Sequence, residues 1–411
     1  MEMLLRLEQA WQLSLDRVSA CGVERVPLGA SQGRVLAEHV VAKSPLPPFD
    51  RSALDGYAVR AADLVGTTAE RPIELQVVEE VPAGTVATHA VASGQAVRIM
   101  TGAPIPSGAD AIVRKEAAEE VDGTVRILLE VPRGEAISRQ GEDAPAGAEL
   151  LRAGRQIGAA EIALLATEGA ETVLVYRRPR VGILVSGREV RPLADRLLPG
   201  QIRDSNGPMI AAMVRDMGAE PMLYGQVGDE LAEIVPLLNK AVAECDLVLT
   251  TGGVSVGDHD LMREAFVQAG GRLLFWKVLM RPGTPVAFAE IEQTPVYGLS
   301  GNPAAAFINY ALLVQPLLRK LAGWEHVLHR PVKAYLECET TSGVIGMDRF
   351  LRAQLVSQEG RLVARVGKGQ KAAILTSLAG IQGLVRIPAR SEMRSGELVE
   401  VYLLREGAIG R

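Results

Sequence analysis

Cysteine is scarce in this chain of 411 residues. Cys21, Cys245 and Cys338 are odd in number, far apart and in no CxxC pair. Such a set does not build a disulfide framework and points to a reducing compartment. Histidine is almost as sparse: His39, His89, His259, His326 and His329 show no metal-pair spacing on a helix. That argues against a zinc or haem site and leaves a hard cation held by carboxylates, phosphates or an oxyanion. Aromatics are 4% of the chain and the formal net charge is −5. Neither the basic footprint nor the stacking surface of a nucleic-acid binder is present. There is no GxxxxGK[ST] and no GxGxxG, so P-loop ATPase and Rossmann dehydrogenase readings fall. No leader is apparent: Met1–Arg17 mixes Glu2, Arg6, Glu8, Asp16 and Arg17 with Leu4, Leu5, Leu7, Trp11 and Leu15, which reads as an amphipathic helix. The one long uncharged stretch, Thr294–Leu318, is broken by Ser300-Gly301-Asn302-Pro303 and Gln315-Pro316. It reads as strand, loop and helix, not as a membrane span. A cytoplasmic protein is expected.

Glycine and proline are plentiful, at 42 and 23 residues, and apolar residues make up 48%. The length allows two to four domains of ordinary size. Pro45-Leu46-Pro47-Pro48 follows the opening helix as a stiff connector. Short β-like runs then appear at Ile73–Glu80, Ala96–Met100, Ala111–Lys115 and Thr124–Val131, between Gly and Pro turns. Helix signals return over Gly141–Val175, best at Ala159–Glu168, and are expected to pack with the N-terminal helix. From Arg177 to Gly323, strands and helices alternate: Arg180–Ser186, a helix near Pro208–Met217, Met222–Val227, Glu230–Glu244, Asp246–Thr251, His259–Ala269, Arg272–Leu279, Pro295–Leu299 and Ala304–Leu321. Alternation of this kind predicts a parallel sheet covered on both faces. The tail turns to β again at Val332–Glu337, Arg349–Val356, Arg361–Val366, Gly383–Ile387 and Leu398–Leu404.

Ligands of an open α/β sheet sit beyond the carboxyl ends of its strands. Three polar, Gly-rich loops leave predicted strands there: Ser186-Gly187-Arg188-Glu189, the run TTGGVSVGDHD over 250–260, and Ser300-Gly301-Asn302-Pro303. Gly252 and Gly253 let backbone amides approach an anion, and Ser255 adds a hydroxyl before a helix start. Asp258 and Asp260 offer carboxylates to a cation, although Asp258 reads equally well as a helix cap. Asp204-Ser205-Asn206-Gly207-Pro208 reads first as a helix start, with Asp or Ser as its cap. Lys277 and Arg281, around Arg281-Pro282-Gly283, suit an oxyanion or phosphate, whereas an isolated lysine would be a solvated charge. Asp50 to Gly56 reads as a turn that presents Asp55, and Gly141-Glu142-Asp143 sets two carboxylates beside a glycine. Carboxylates near a cationic anion site imply Mg²⁺.

Together these segments resemble the molybdopterin molybdenumtransferase family, the MoeA-like proteins that include the E domain of gephyrin. PPFDRSALDGYAV resembles the family's PxFDxSxxDGYA, and RIMTGAPIPSGADAIV its RIxTGAxxPxGADAVV. GED, DSN, TTGGVSVGDHD, FWKVLMRPG and GLSGNP each match a family segment, in order along essentially the whole chain. The resemblance implies multidomain α/β plus β architecture. A discontinuous helical linker domain would span 1–48 and 139–176, with a β-rich insertion at 49–138. A three-layer, molybdopterin-binding-like α/β domain with a parallel-type sheet would span 177–326, and a C-terminal β-barrel-like domain 327–411. It also implies a Mg²⁺-assisted reaction of adenylylated molybdopterin and molybdate that releases AMP. A homodimer is implied, with the active site at the subunit interface, so that Asp55 of one chain faces the α/β domain of the other.

The resemblance assigns Asp55, Glu142, Asp143, Glu189, Asp204 and Asp258 to catalysis, with Asp55, Asp143 and Asp258 as metal contacts. Gly252, Gly253, Ser255 and Asp258 would hold the pterin-phosphate and nucleotide side, and Lys277, Arg281, Ser300, Arg352 and Ser377 would surround molybdate. Thr101, Ser186, Gly187, Ser205, Asn206, Gly257, Asp260, Pro282, Gly301, Asn302 and Pro303 would be further substrate contacts. The chain departs from the family at Arg188, where Asp is common, and at Ala305, where the family's GNPVS has a serine. Those departures motivate an alternative, a specialised paralogue that binds the cofactor and delivers it to a molybdoenzyme. A third reading, a molybdopterin adenylyltransferase, shares TTGGVSVG but lacks the β-rich flanks; that enzyme is also the other partner expected for this chain.

Overall fold

The computed structural model describes residues 4–253, 261–339 and 341–404. The chain forms two compact units. The smaller comprises His39–Arg152 and Ala163–Ala170. Its six-stranded sheet runs in the order Ala111–Arg114, Gly56–Val59, Gln95–Ile99, Ile73–Val81, Thr124–Ile127 and Ala118–Val121. Asp122 and Gly123, both at positive φ, close the last hairpin, the tight turn that an Asp-Gly pair favours. Tyr57, Val59, Leu75, Val113 and Val125 fill one face, and Ala58, Val81, Val97 and Ile112 the other. Gly56 is obligatory where the strand begins, since a Cβ there would lie 2.0 Å from the Val113 carbonyl oxygen.

The larger unit carries a seven-stranded sheet in the order Leu4–Leu5, Arg272–Val278, Pro285–Ile291, Thr294–Leu299, Leu247–Thr251, Arg180–Ser186 and Glu220–Val227. The last four strands are mutually parallel, as alternation predicts. The sheet as a whole is mixed, because Pro285–Ile291 runs antiparallel to both of its neighbours. The alternation of strands and helices does not predict that strand, PVAFAEI. Its hairpin turns on Glu292 and Gln293, both at positive φ, without the Asn-Gly or Asp-Gly signature. Helices Asn206–Asp216, Leu231–Glu244, Leu261–Gln268 and the run from Pro303 to Leu321 cover the sheet. The last helix is π-helical over Tyr310–Val314 rather than regular.

The helix signals read over Gly141–Val175 are corrected by the structure. Only Ala159–Thr167 is helical between Gly141 and Val175, and Thr172–Tyr176 is a strand paired antiparallel with Val23–Pro27. Its alternating, β-branched pattern fits a half-buried strand better than a helix. The N-terminal helix, Leu7–Leu15, buries Leu7, Ala10, Trp11 and Ser14. That face joins the core of the α/β sheet, with Val181, Ile210 and Leu312 in the same cluster. Trp11 Nε1 donates to the Leu312 carbonyl and His329 Nε2 to the Ala311 carbonyl, so two carbonyls of the π-helical turn accept side-chain donors.

The tail closes a five-stranded barrel: Asp348–Gln358, Arg361–Val366, Val332–Glu337, Leu398–Leu403 and Gly383–Ile387, which pairs back to Asp348–Gln358. Leu336, Leu351, Ala353, Val385 and Val401 fill it. A short strand at Met280–Arg281 pairs with the barrel strand through Met280–Asp348 and Arg281–Arg349.

Candidate active site

The three Gly-rich loops come together through Ser186, Thr251–Gly253 and Ser300–Gly301. Strands Arg180–Ser186, Leu247–Thr251 and Thr294–Leu299 are adjacent and parallel, so their carboxyl ends lie side by side. Thr251 Oγ1 donates to the Ser300 carbonyl at 3.1 Å. Asn206 Nδ2 donates to Thr251 Oγ1 at 2.8 Å and to the Gly301 carbonyl at 2.9 Å. Ser300 Oγ accepts from the Asn302 amide at 3.2 Å. The loops are packed backbone to backbone: a Cβ on Gly252, at φ +92°, would lie 2.1 Å from the Ser186 carbonyl oxygen, and one on Gly301 would lie 3.4 Å from Gly252 Cα. Gly253 lies over the Ser186 hydroxyl. Ser186 Oγ, Asn206 Oδ1 and Thr250 Oγ1 are buried without a hydrogen-bond partner. Unpaired buried polar atoms are costly, and these three lie on the loops and helix start at the carboxyl ends of the strands.

The acidic residues of this edge have definite tasks. Asp204, 9% exposed, accepts from the Gly207 amide at 2.8 Å and from Gln226 Nε2 at 3.2 Å. Its carboxylate holds the first turn of the helix, while Ser205 makes no side-chain cap. Glu189 is exposed, with its carboxylate folded over Gly187. Arg188 pairs with Asp229 at 3.4 Å, so its charge is offset locally.

Lys277 is placed at the same edge by pairing with Pro285 across the antiparallel ladder. Arg281 is exposed before a cis peptide to Pro282. The turn behind it is fixed from below by Asn309, 0% exposed, whose Nδ2 donates to the Gly283 carbonyl at 2.8 Å. Pro303 opens the helix that follows Ser300–Asn302. The Ala304 amide in its first turn donates to the Ala372 carbonyl, which brings in the tail segment near Ser377. Ala305 is buried. Ser377 Oγ donates to the Ile374 carbonyl at 2.6 Å. Arg352 is buried in the barrel strand; Nη2 donates to Gly369 and Lys371 carbonyls, and loss of solvent lowers its guanidinium pKa. Ser255, Gly257, Asp258 and Asp260 lie outside the described residues.

Four further residues belong to the smaller unit. Asp55 precedes strand Gly56–Val59, and its Oδ1 accepts from the Thr101 amide and from the Thr101 hydroxyl, each at 2.7 Å. Those bonds hold the Asp55 carboxyl below its usual range, the amide contributing most and Lys115 adding to it. Glu142 accepts from the Arg139 amide at 2.7 Å and closes a turn, and Asp143 is exposed beside it. Among the described residues no three His, Cys, Asp or Glu side chains form a metal-holding group. The sequence does not mark Thr250, Asn309 or Gln370 as site residues, although the last is hydrogen-bonded to the Arg352 backbone. Thr250 stood inside the TTGG run. Nothing in the pattern around Asn309 or Gln370 sets either apart.

Three family models match in chain order: MoeA N-terminal region (domain I and II) over residues 5–169, probable molybdopterin binding domain over 182–320, and MoeA C-terminal region (domain IV) over 334–404. The chain is 37% identical to a molybdopterin molybdenumtransferase of Bacillus subtilis over 93% of its own length and 90% of the relative's. It is 35% identical to a protein of the same name from Staphylococcus aureus strain COL, over 98% and 96%. The molybdopterin biosynthesis moeA protein of Pyrococcus horikoshii OT3 superposes with a TM-score of 0.84 at 34% identity, covering 97% of this chain and 100% of that one.

Proposed function

This chain belongs to the molybdopterin molybdenumtransferase family, and from that premise we propose that it converts adenylylated molybdopterin and molybdate to molybdenum cofactor with release of AMP. It is a transferase of molybdenum cofactor biosynthesis. The observation that carries the finer reading is the convergence of three loops at the carboxyl ends of adjacent parallel strands, with the Ser186, Asn206 and Thr250 oxygens there buried and unpaired. Gly252 and Gly253 open backbone to the pterin-phosphate and nucleotide, and Lys277, Arg281 and Arg352 supply positive charge for the oxyanion. Fixed cations and backbone donors stabilise charge that grows on the phosphate oxygens as the phosphoanhydride breaks. No side chain needs to form a covalent bond.

Mg²⁺ is proposed to enter with the substrate phosphates, with Asp55, Asp143 and Asp258 as carboxylate contacts. Such an ion takes one or two carboxylates together with substrate phosphates and keeps several waters. A homodimer is part of the reading, with the partner copy supplying the Asp55 loop. A cytoplasmic location is proposed as well, as are a molybdopterin adenylyltransferase upstream and a molybdoenzyme downstream. Among the described residues no helix is long and apolar enough to cross a membrane.

The deciding assay incubates the pure protein with adenylylated molybdopterin, molybdate and Mg²⁺ and follows AMP together with active cofactor. Ligand bound without AMP above background would sink the reaction assigned here. Mixing Asp55→Ala with Arg352→Lys chains tests the shared site: activity regained on mixing supports it, and none regained in mixed dimers refutes it.

A further inference from the structure

The best organised polar cluster beside the three loops surrounds Arg352. This side chain is 1% exposed. Nη2 donates to the Gly369 carbonyl at 2.9 Å and to the Lys371 carbonyl at 3.2 Å. Nε and Nη1 have no partner. A guanidinium presents its donors in a rigid fork, and two left unpaired in a buried setting demand an acceptor. Gln370 lies between the two accepting carbonyls in sequence. Its Oε1 accepts from the Arg352 amide at 2.9 Å, and its Nε2 donates to the Arg352 carbonyl at 3.1 Å and to the Gly367 carbonyl at 3.1 Å. The carboxamide thus pairs with both backbone groups of Arg352 as a neighbouring strand would. Two residues on, the Ala372 carbonyl accepts from the Ala304 amide at 3.0 Å, in the first turn after Ser300–Pro303. One short segment, 367–372, therefore grips the Arg352 backbone, its guanidinium and the molybdate-side loop.

We propose that Gln370 is a positioning residue for the oxyanion. It locks segment 367–372 so that the Gly369 and Lys371 carbonyls occupy one nitrogen of Arg352 and leave Nε and Nη1 for molybdate. The segment cannot order itself, because Gly367 and Gly369 (φ +87°) give it conformational freedom. The side-chain clamp removes that freedom before the anion arrives, which spares affinity the cost of ordering. This inference rests on the reading that Arg352 contacts molybdate.

Full-length Gln370→Ala, Gln370→Glu and Arg352→Lys are compared by steady-state kinetics with each substrate varied, and by thermal unfolding. Gln370→Ala is expected to raise the molybdate KM about tenfold, below the roughly hundredfold cost of a full ångström misplacement, with the adenylylated molybdopterin KM within about twofold. Gln370→Glu keeps the acceptor but loses the donor, so it falls between the wild type and Gln370→Ala; it serves as the second variant should the alanine chain fold poorly. In an Arg352→Lys background, Gln370→Ala is expected to add little. An unchanged molybdate KM in both Gln370 variants, with a raised one in Arg352→Lys, overturns the role of Gln370 and leaves that of Arg352. An unchanged molybdate KM in Arg352→Lys overturns the reading of Arg352 itself. A fall in melting temperature with both KM values rising together shows a scaffold role and also overturns the proposal.

Discussion

The Asn206 carboxamide donates to the Thr251 hydroxyl at 2.8 Å, and both side chains are buried. Thr251 in turn donates to the Ser300 carbonyl and Asn206 to the Gly301 carbonyl, so a helix start and two strand ends share one network. Asn206→Ala is expected to cost about 1–3 kcal/mol, the range for stranding buried polar partners. Thr251→Val should cost a similar amount, and the double variant less than the sum. Urea unfolding of the three proteins checks this; strict additivity would show two independent contacts.

Gly252→Ala should be among the most damaging single substitutions at the strand edge. The new Cβ meets the Ser186 carbonyl oxygen at 2.1 Å and the backbone is at φ +92°. Backbone on both sides leaves little room to yield, so activity is expected to fall at least tenfold, with about 2 kcal/mol of stability lost. Gly253→Ala meets side-chain atoms of Met262 and Ser186 at 3.1 and 3.2 Å and should be milder. AMP-release rates of the two variants give the comparison.

The Asp55–Thr101 pair sets a pH dependence with a definite sign. Two hydrogen bonds from Thr101 stabilise the charged carboxylate, so the group loses its charge only as pH falls below the usual carboxylate range. Thr101→Val keeps the amide and loses the hydroxyl. The acid limb of the rate profile should then move to higher pH, while Asp55→Ala abolishes turnover. A limb that stays in place would assign the acid limb to another group.

His329 provides a stability test remote from the chemistry. It is 9% exposed and donates Nε2–H to the Ala311 carbonyl as a neutral ring. Burial lowers its pKa from 6.5 to about 4; Arg319 acts in the same direction and the Ala311 bond opposes it. Between those values the unfolded chain takes up a proton that the folded chain refuses. Stability is therefore full above 6.5 and declines as pH falls through the window, by about 3 kcal/mol at its foot. His329→Gln should flatten that decline in denaturant titrations at pH 7 and pH 4.5.

Glycine-rich loops after β-branched runs were legible because strand ends and tight turns demand those residues, and the edge at Ser186, Gly252 and Ser300 follows from them. The Asp122-Gly123 turn is legible in the same way, since both positions sit at positive φ. Glu292-Gln293 makes an equivalent turn with residues that normally avoid it, and the strand before it was missed. Thr172–Tyr176 reads with its neighbouring helix in sequence because its strand partner, Val23–Pro27, is far away along the chain. Asn309 and Gln370 had no local signal at all. Each looks like an ordinary polar residue until folding brings the Gly283 carbonyl or the Arg352 backbone within reach.

Arg281 pairs with Arg349 on the barrel strand, and Arg352 lies three residues further along it. A single strand thereby fixes the spacing of two cations that come from different stretches of chain. Strand faces alternate with every residue. Deleting one residue between Arg349 and Arg352 would thus turn the second guanidinium into the barrel interior that Leu351 and Ala353 fill, without altering any residue of the three loops. The barrel acts as a ruler, and changes in its length, more than changes in its composition, are what anion affinity should fail to survive.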